Sequence, residues 1–223
     1  MQRRRGCAPP KRERDRVRFI EDVEKVRTRA RQQVSEGAVT PTLQTDSDRN
    51  CAVLNEALAT ELICILRYQF HYHMAAGIHS AAVKSEFKEH WTAEQHHADM
   101  IAERIRQLGG KPDFAPEALR KSHTEYNEGH SLEEMITEDL VAERIVIMTY
   151  AEMIRHFGQK DPTTRRMLEE ILADEEEHAD DLADLLYSVN PSSGKPTERL
   201  TATEAVKPIR RNGAHARKTT RRR

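Results

Sequence analysis

The 223-residue chain contains no uninterrupted apolar run of the roughly 18 residues that a membrane-spanning helix needs, so no membrane association is expected. Its arginine-rich start is not followed by an apolar segment of signal-peptide type, which argues against a secretory leader. Cysteine is scarce: Cys7, Cys51 and Cys64 are odd in number, and none stands in a Cys-x-x-Cys pair. This excludes a disulfide frame, a zinc ribbon and a rubredoxin-type site, and it predicts reduced thiols in a cytoplasmic protein. Net charge is also low, −1 from 36 basic and 37 acidic residues, but the balance hides a segregation. Residues 1–31 carry 12 Lys+Arg against 5 Asp+Glu (+7), residues 32–189 carry 14 against 30 (−16), and residues 190–223 carry 10 against 2 (+8). An acidic body attracts cations; basic ends would attract nucleic acid, another anionic surface or the acidic body of a second copy.

What is present in abundance is helical patterning. The spacing of Val17, Ile20, Val23, Val26, Ala30 and Val34 predicts an amphipathic helix over residues 13–34. A first long helix is expected to start at Asp46, Ser47 or Asp48 and to run to Gly77 or Ser80, with Leu54, Leu58, Leu62, Ile65 and Leu66 on its apolar stripe. A second covers residues 82–108 and stops at Gly109 and Gly110. Residues 111–130, with Pro112, Pro116 and Gly129, are too long for a hairpin loop and suit a crossover along a bundle. Ser131 and Glu134 make a capping box for a third helix ending at Gly158, and Asp161-Pro162 opens a fourth that runs to Val189. The expected fold is all-α: an antiparallel four-helix bundle with one long crossover. Its domain division is a basic N-terminal extension (1–45), the bundle (46–189) and a basic, flexible C-terminal tail (190–223).

On this frame two Glu-x-x-His steps recur, Glu94 to His97 and Glu175 to His178. Residues three apart on a helix share a face, so each step offers a carboxylate and an imidazole to one point. With 25 glutamates and 11 histidines, chance supplies roughly one such step, so a single copy carries little weight. The repeated arrangement carries more: Glu61 stands 33 positions before Glu94, and Glu143 stands 32 before Glu175. Four glutamates and two histidines on four helices are a ligand set for a pair of first-row metal ions.

The chain resembles the bacterioferritin family over residues 47–188. Leu54 and Asn55 leading to Glu61 and Tyr68 look like the family's first helix; Glu94, Gln95, His96, His97, Ala98 and Asp99 look like its second. Asp139 to Glu143 resembles the third, and Asp174, Glu175 and His178 the fourth. The resemblance implies a ferritin-like fold and a di-iron centre of two Fe ions per subunit. Glu61 and His97 would be terminal ligands of one iron, Glu143 and His178 of the other, and Glu94 and Glu175 would bridge. Tyr68, two turns after Glu61, would support the site by hydrogen bonding or electron donation, or simply pack in the core. The implied activity is ferroxidase: Fe(II) is oxidised to Fe(III) by O2 or H2O2, for iron storage and detoxification, in a homo-oligomer. The family's haem-ligating methionine is replaced by Gln95, so haem is not expected. Two alternatives stand beside this one: a Dps-like protein binding DNA through its basic ends, and another di-metal oxidase such as a manganese catalase. His71 and His73 read as surface groups, with a place near an inner pore as the alternative, His96 as a surface group or a support to the site, and Cys64 as a packed thiol.

Overall fold

The computed structural model describes residues 22–40 and 46–193. Residues 1–21, 41–45 and 194–223, which carry most of both basic ends and the first part of the expected N-terminal helix, lie outside the described residues. The helices are α1 (Val23–Gln32), α2 (Ser47–Met74), α3 (Ser80–Gln107), α4 (Leu132–Phe157) and α5 (Pro162–Val189). Among the described residues no strand occurs, and no helix is long and apolar enough to cross a membrane.

The four long helices begin and end where local chemistry dictates. Asp46, Ser131 and Asp161 accept backbone N–H bonds at the starts of α2, α4 and α5, which satisfies donors that an isolated helix would leave orphaned. The Ser131 box differs from expectation in one bond: Glu134 reaches past the cap residue and accepts from the N–H of His130 at 2.7 Å. Helix α3 closes with the Gly109 N–H on the carbonyl of Arg106 and the Gly110 N–H on that of Ile105. Gly109 has φ +83°, and a Cβ on Gly110 would stand 2.5 Å from Cys51 Sγ, so both positions require glycine.

Helices α2 and α3 pack together, as do α4 and α5, and the two pairs meet through α2 with α4 and α3 with α5. The crossover, with a 3-10 turn at Pro116–Lys121, runs alongside α2 in the same direction. Asn55 Oδ1 accepts from the Asp113 N–H (2.8 Å), Thr60 Oγ1 from the His123 N–H (2.9 Å), and Arg67 Nη1 donates to the Glu125 carbonyl (3.0 Å). The expected bundle with one long crossover is therefore the observed one. Helix α1 is shorter within the described residues than its sequence periodicity suggests, and none of its residues is buried.

The core divides into two apolar clusters. One holds Leu54, Leu58, Ile101, Ile105, Phe157, Leu168 and Ile171; the other holds Tyr68, Val83, Phe87, Ile136 and Leu182. Burying each large apolar side chain contributes roughly 1.5–3 kcal/mol. A buried ionic knot joins α2 to α4: Arg67 Nε donates to Asp139 Oδ1 and His71 Nδ1 lies by Asp139 Oδ2, both at 2.7 Å. Another joins α3 to the start of α5, where Arg104 donates to Asp161 Oδ1 (2.8 Å) and Thr164 Oγ1 (2.7 Å). His71 is thus fully buried, contrary to its reading as a surface residue, because Asp139 on the facing helix gives its ring a partner.

A candidate metal centre of four carboxylates and two imidazoles

Each bundle helix contributes to one polar cluster in an otherwise apolar interior: Glu61 from α2, Glu94 and His97 from α3, Glu143 from α4, Glu175 and His178 from α5. All six are at most 7 % exposed. Their ligand atoms form two overlapping groups, Glu61, Glu94, His97 and Glu175, and Glu94, Glu143, Glu175 and His178, each with its atoms within 4.8 Å of one another.

Glu94 and Glu175 belong to both groups. Glu94 Oε2 lies 3.6 Å from His97 Nδ1, and its Oε1 lies 3.5 Å from His178 Nδ1. Glu175 Oε1 lies 3.2 Å from His97 Nδ1, and its Oε2 lies 3.3 Å from His178 Nδ1. Each central glutamate therefore turns one oxygen to each histidine. Of the two histidines, Glu61 Oε2 lies near His97, at 3.6 Å.

The outer glutamates are each held at one oxygen. The Tyr150 hydroxyl donates to Glu61 Oε1, and the Tyr68 hydroxyl donates to Glu143 Oε1, so each tyrosine braces the carboxylate of the opposite helix pair. Burial, with the Glu143, Asp139 and Glu94 charges, pushes the Tyr68 phenol well above its ordinary pKa and keeps it a donor. Tyr150 follows Glu143 by seven residues, as Tyr68 follows Glu61; the repeated spacing was the signal for it, and sequence reading used only the first copy. Asp174, half exposed, takes His97 Nε2 at 3.1 Å and so turns Nδ1 inward. Gln95 and His96 are exposed, and Cys64 is buried beside Arg67 and Thr124.

Electrostatics in the cluster are those of charges crowded in a low dielectric. Burial, then the charges of Glu94 and Glu175, push Glu61 well above the usual carboxylate range; burial, then Glu175 and Glu94, do the same to Glu143. Burial would also raise Glu94, but close contact with Glu61 and with the two histidines, His178 and His97, outweighs it and holds Glu94 well below. Burial opposes charge on both histidines; contacts with Glu175, Glu61 and Glu94 nevertheless raise His97, and those with Glu175 and Glu94 lift His178 to about 9. Protons thus sit where cations would, and the two compete for the same lone pairs.

The residues fit metal ions. Six buried atoms of the cluster, Glu61 Oε2, Glu94 Oε1 and Oε2, His97 Nδ1, Glu143 Oε2 and Glu175 Oε1, lack a hydrogen-bond partner. Buried polar atoms are ordinarily satisfied, so six orphans converging on one place mark a site built for something that accepts lone pairs.

Known proteins share this fold. The sequence profile of the ferritin-like domain matches residues 51–190. Bacterioferritin BfrA of Mycobacterium tuberculosis is 30% identical over 156 residues, spanning 65% of this chain and 94% of that protein. The structure of the bacterioferritin-related protein from Bacteroides fragilis, a dodecameric thioferritin, superposes with a TM-score of 0.64 at 31% identity, covering 67% of this chain and 90% of that one. Dps from Thermosynechococcus elongatus shares the fold, with a TM-score of 0.61 at 17% identity over 69% of this chain and 96% of its own. The bundle, the polar cluster at its centre and the match over most of its length together establish that this chain belongs to the ferritin-like family.

Proposed function

We propose that this protein is a bacterioferritin-like di-iron ferroxidase, oxidising Fe(II) to Fe(III) with O2 or H2O2 in iron storage and detoxification. The observation that carries this reading is the convergence of six unsatisfied buried atoms from four helices. Glu61 and His97 would hold one iron and Glu143 and His178 the other, with Glu94 and Glu175 shared between them, because each of these two faces both histidines. Two bound Fe(II) ions would supply two electrons, which with two protons from solvent reduce O2 to H2O2 or H2O2 to two waters, leaving two Fe(III). The four carboxylates offset the charge of two divalent ions, which relieves the mutual repulsion of the acids. Tyr68 and Tyr150 each fix one oxygen of an outer glutamate and leave the other for iron, Asp174 orients His97, and the two apolar clusters keep water from the flanks. Several copies assemble into a homo-oligomer, as the Bacteroides relative does.

Aerobic addition of Fe(II) to purified protein, followed by ferric absorbance and oxidant consumption, tests the activity. Wild type is expected to oxidise Fe(II) well above the rate in buffer, and a Glu94→Ala/Glu175→Ala variant is expected to lose that advantage. Undiminished oxidation by the variant would remove the site assignment. Disproportionation of H2O2 by Mn-loaded protein, without Fe(II) oxidation, would favour the catalase reading instead.

The segregated charge favours one addition: DNA binding by the basic ends, +7 over residues 1–31 and +8 over 190–223. Removing residues 1–16 and 207–223 is expected to abolish salt-sensitive retention on DNA, and unchanged retention would dismiss the idea.

A further inference from the structure

At three positions on one side of the six-residue cluster the bundle carries polar residues where the other side is apolar. Aligning the two Glu-x-x-His steps (175 − 94 = 81) pairs Glu86 with Met167, His90 with Ile171 and Asp181 with Met100. Those three apolar residues belong to or pack on the larger core cluster. Their polar counterparts, Glu86 and His90 one turn apart on α3 and Asp181 on α5, bring one ligand atom each to within 4.8 Å of the others.

His90 is 1 % exposed, and its Nε2 has no hydrogen-bond partner. That nitrogen faces Glu86 Oε1 at 3.7 Å, beyond hydrogen-bond reach. The opposite nitrogen settles the tautomer. Tyr68 donates its only proton to Glu143, so its oxygen accepts from His90 Nδ1–H at 3.2 Å. The Nε2 lone pair is therefore left aimed at carboxylates, an arrangement that repels unless a cation lies between them. Burial and the facing charge of Asp181, then that of Glu89, push the Glu86 carboxyl up, as expected of acids crowded across a short gap.

The geometry points to a third metal site, in which Glu86, His90 and Asp181 give two carboxylate oxygens and one imidazole nitrogen to a divalent first-row cation. One nitrogen and two oxygens from the protein leave coordination positions for water and suit Fe(II), Mn(II) or Zn(II). Glu86, with 28 % of its side chain exposed, opens the site to solvent. The His90 ring stacks on His178 with centroids 4.2 Å apart, so a cation held here lies one imidazole away from the central cluster. The site rests on residues outside that cluster and stands apart from the di-iron reading.

Anaerobic Co(II) titration of the full-length protein, with bound metal counted after dialysis, tests it. Wild type is expected to bind three Co(II) per chain, Glu86→Gln/Asp181→Asn two, and Glu94→Ala/Glu175→Ala one. A Glu86→Met/His90→Ile/Asp181→Met variant installs the apolar residues that already pack on the other side; it is expected to keep its helical circular dichroism and to bind two. Equal stoichiometry in wild type and the two Glu86/Asp181 variants would overturn the third site. If the central cluster holds no metal but this one does, wild type binds one Co(II) and the Glu86/Asp181 variants none, so the two readings fail separately.

Discussion

Removing metal should cost this bundle several kcal/mol, and the size of the effect follows from the cluster. Six buried atoms lack partners, and an unsatisfied buried polar atom costs about 1–3 kcal/mol. Taking the lower figure, since the atoms share one site and their costs are not additive, the metal-free bundle carries roughly 6 kcal/mol of strain that bound cations relieve. Mass action gives a similar figure: about 2.7 kcal/mol per site at a hundredfold excess over Kd, or roughly 5 kcal/mol for two sites. For a domain of this size, 1 kcal/mol moves the melting midpoint by about 2–4 °C, so loading should raise it by roughly 10–20 °C. The assay is a circular-dichroism melt of chelator-treated protein with and without Co(II), which avoids oxidation during heating. The Glu94→Ala/Glu175→Ala variant, having lost the two central sites, should lose their share of the shift. Equal midpoints with and without metal in wild type would refute the account of the orphaned atoms.

Three other outcomes are expected. Replacing Tyr150 or Tyr68 by Phe removes a hydrogen bond to a buried carboxylate worth about 1.5–3 kcal/mol, so metal affinity at the braced glutamate should fall about tenfold or more, read by the same titration; unchanged affinity in both variants would mean that the braces do not orient Glu61 and Glu143. Arg67→Ala leaves Asp139 buried without its cation and should destabilise the protein by about 3–5 kcal/mol in urea, whereas a loss under 1 kcal/mol would show that water takes the place of the guanidinium. The pKa of His178 is raised to about 9, so its stabilising contribution is complete below about pH 6.5 and is lost as pH climbs through 9; metal-free protein should melt progressively lower over that window, and a midpoint that rises with pH would contradict the sign.

Local chemistry was readable from sequence. Asp46, Ser131 and Asp161 announce helix starts because a cap acts on its own next turn, and Gly109-Gly110 announces a stop for the same reason. The all-α bundle and its crossover followed from these signals and from apolar spacing. What sequence hid depends on register between helices. The Arg67–Asp139–His71 knot needs α2 and α4 aligned before its residues can meet, so His71 looked like a surface residue. His90 stands beside charged Glu89, and only the packing of α5 reveals that it is buried against His178. Tyr150 was legible in principle, through the repeated seven-residue step from glutamate to tyrosine. The valine stripe of α1 predicted an amphipathic helix, but Val23 and Val26 remain about half exposed, because a stripe shows which face is apolar without showing what covers it.

The central claim is that two irons share Glu94 and Glu175, and electron paramagnetic resonance of protein loaded with Fe(II) and then oxidised tests it most directly. Ions bridged by both carboxylates are expected to couple into a spin-paired ferric dimer, leaving little isolated high-spin Fe(III) signal from the central cluster, and Glu94→Ala/Glu175→Ala should form no such coupled pair. A strong isolated ferric signal from wild type, matching the iron bound in the central cluster, would contradict the claim.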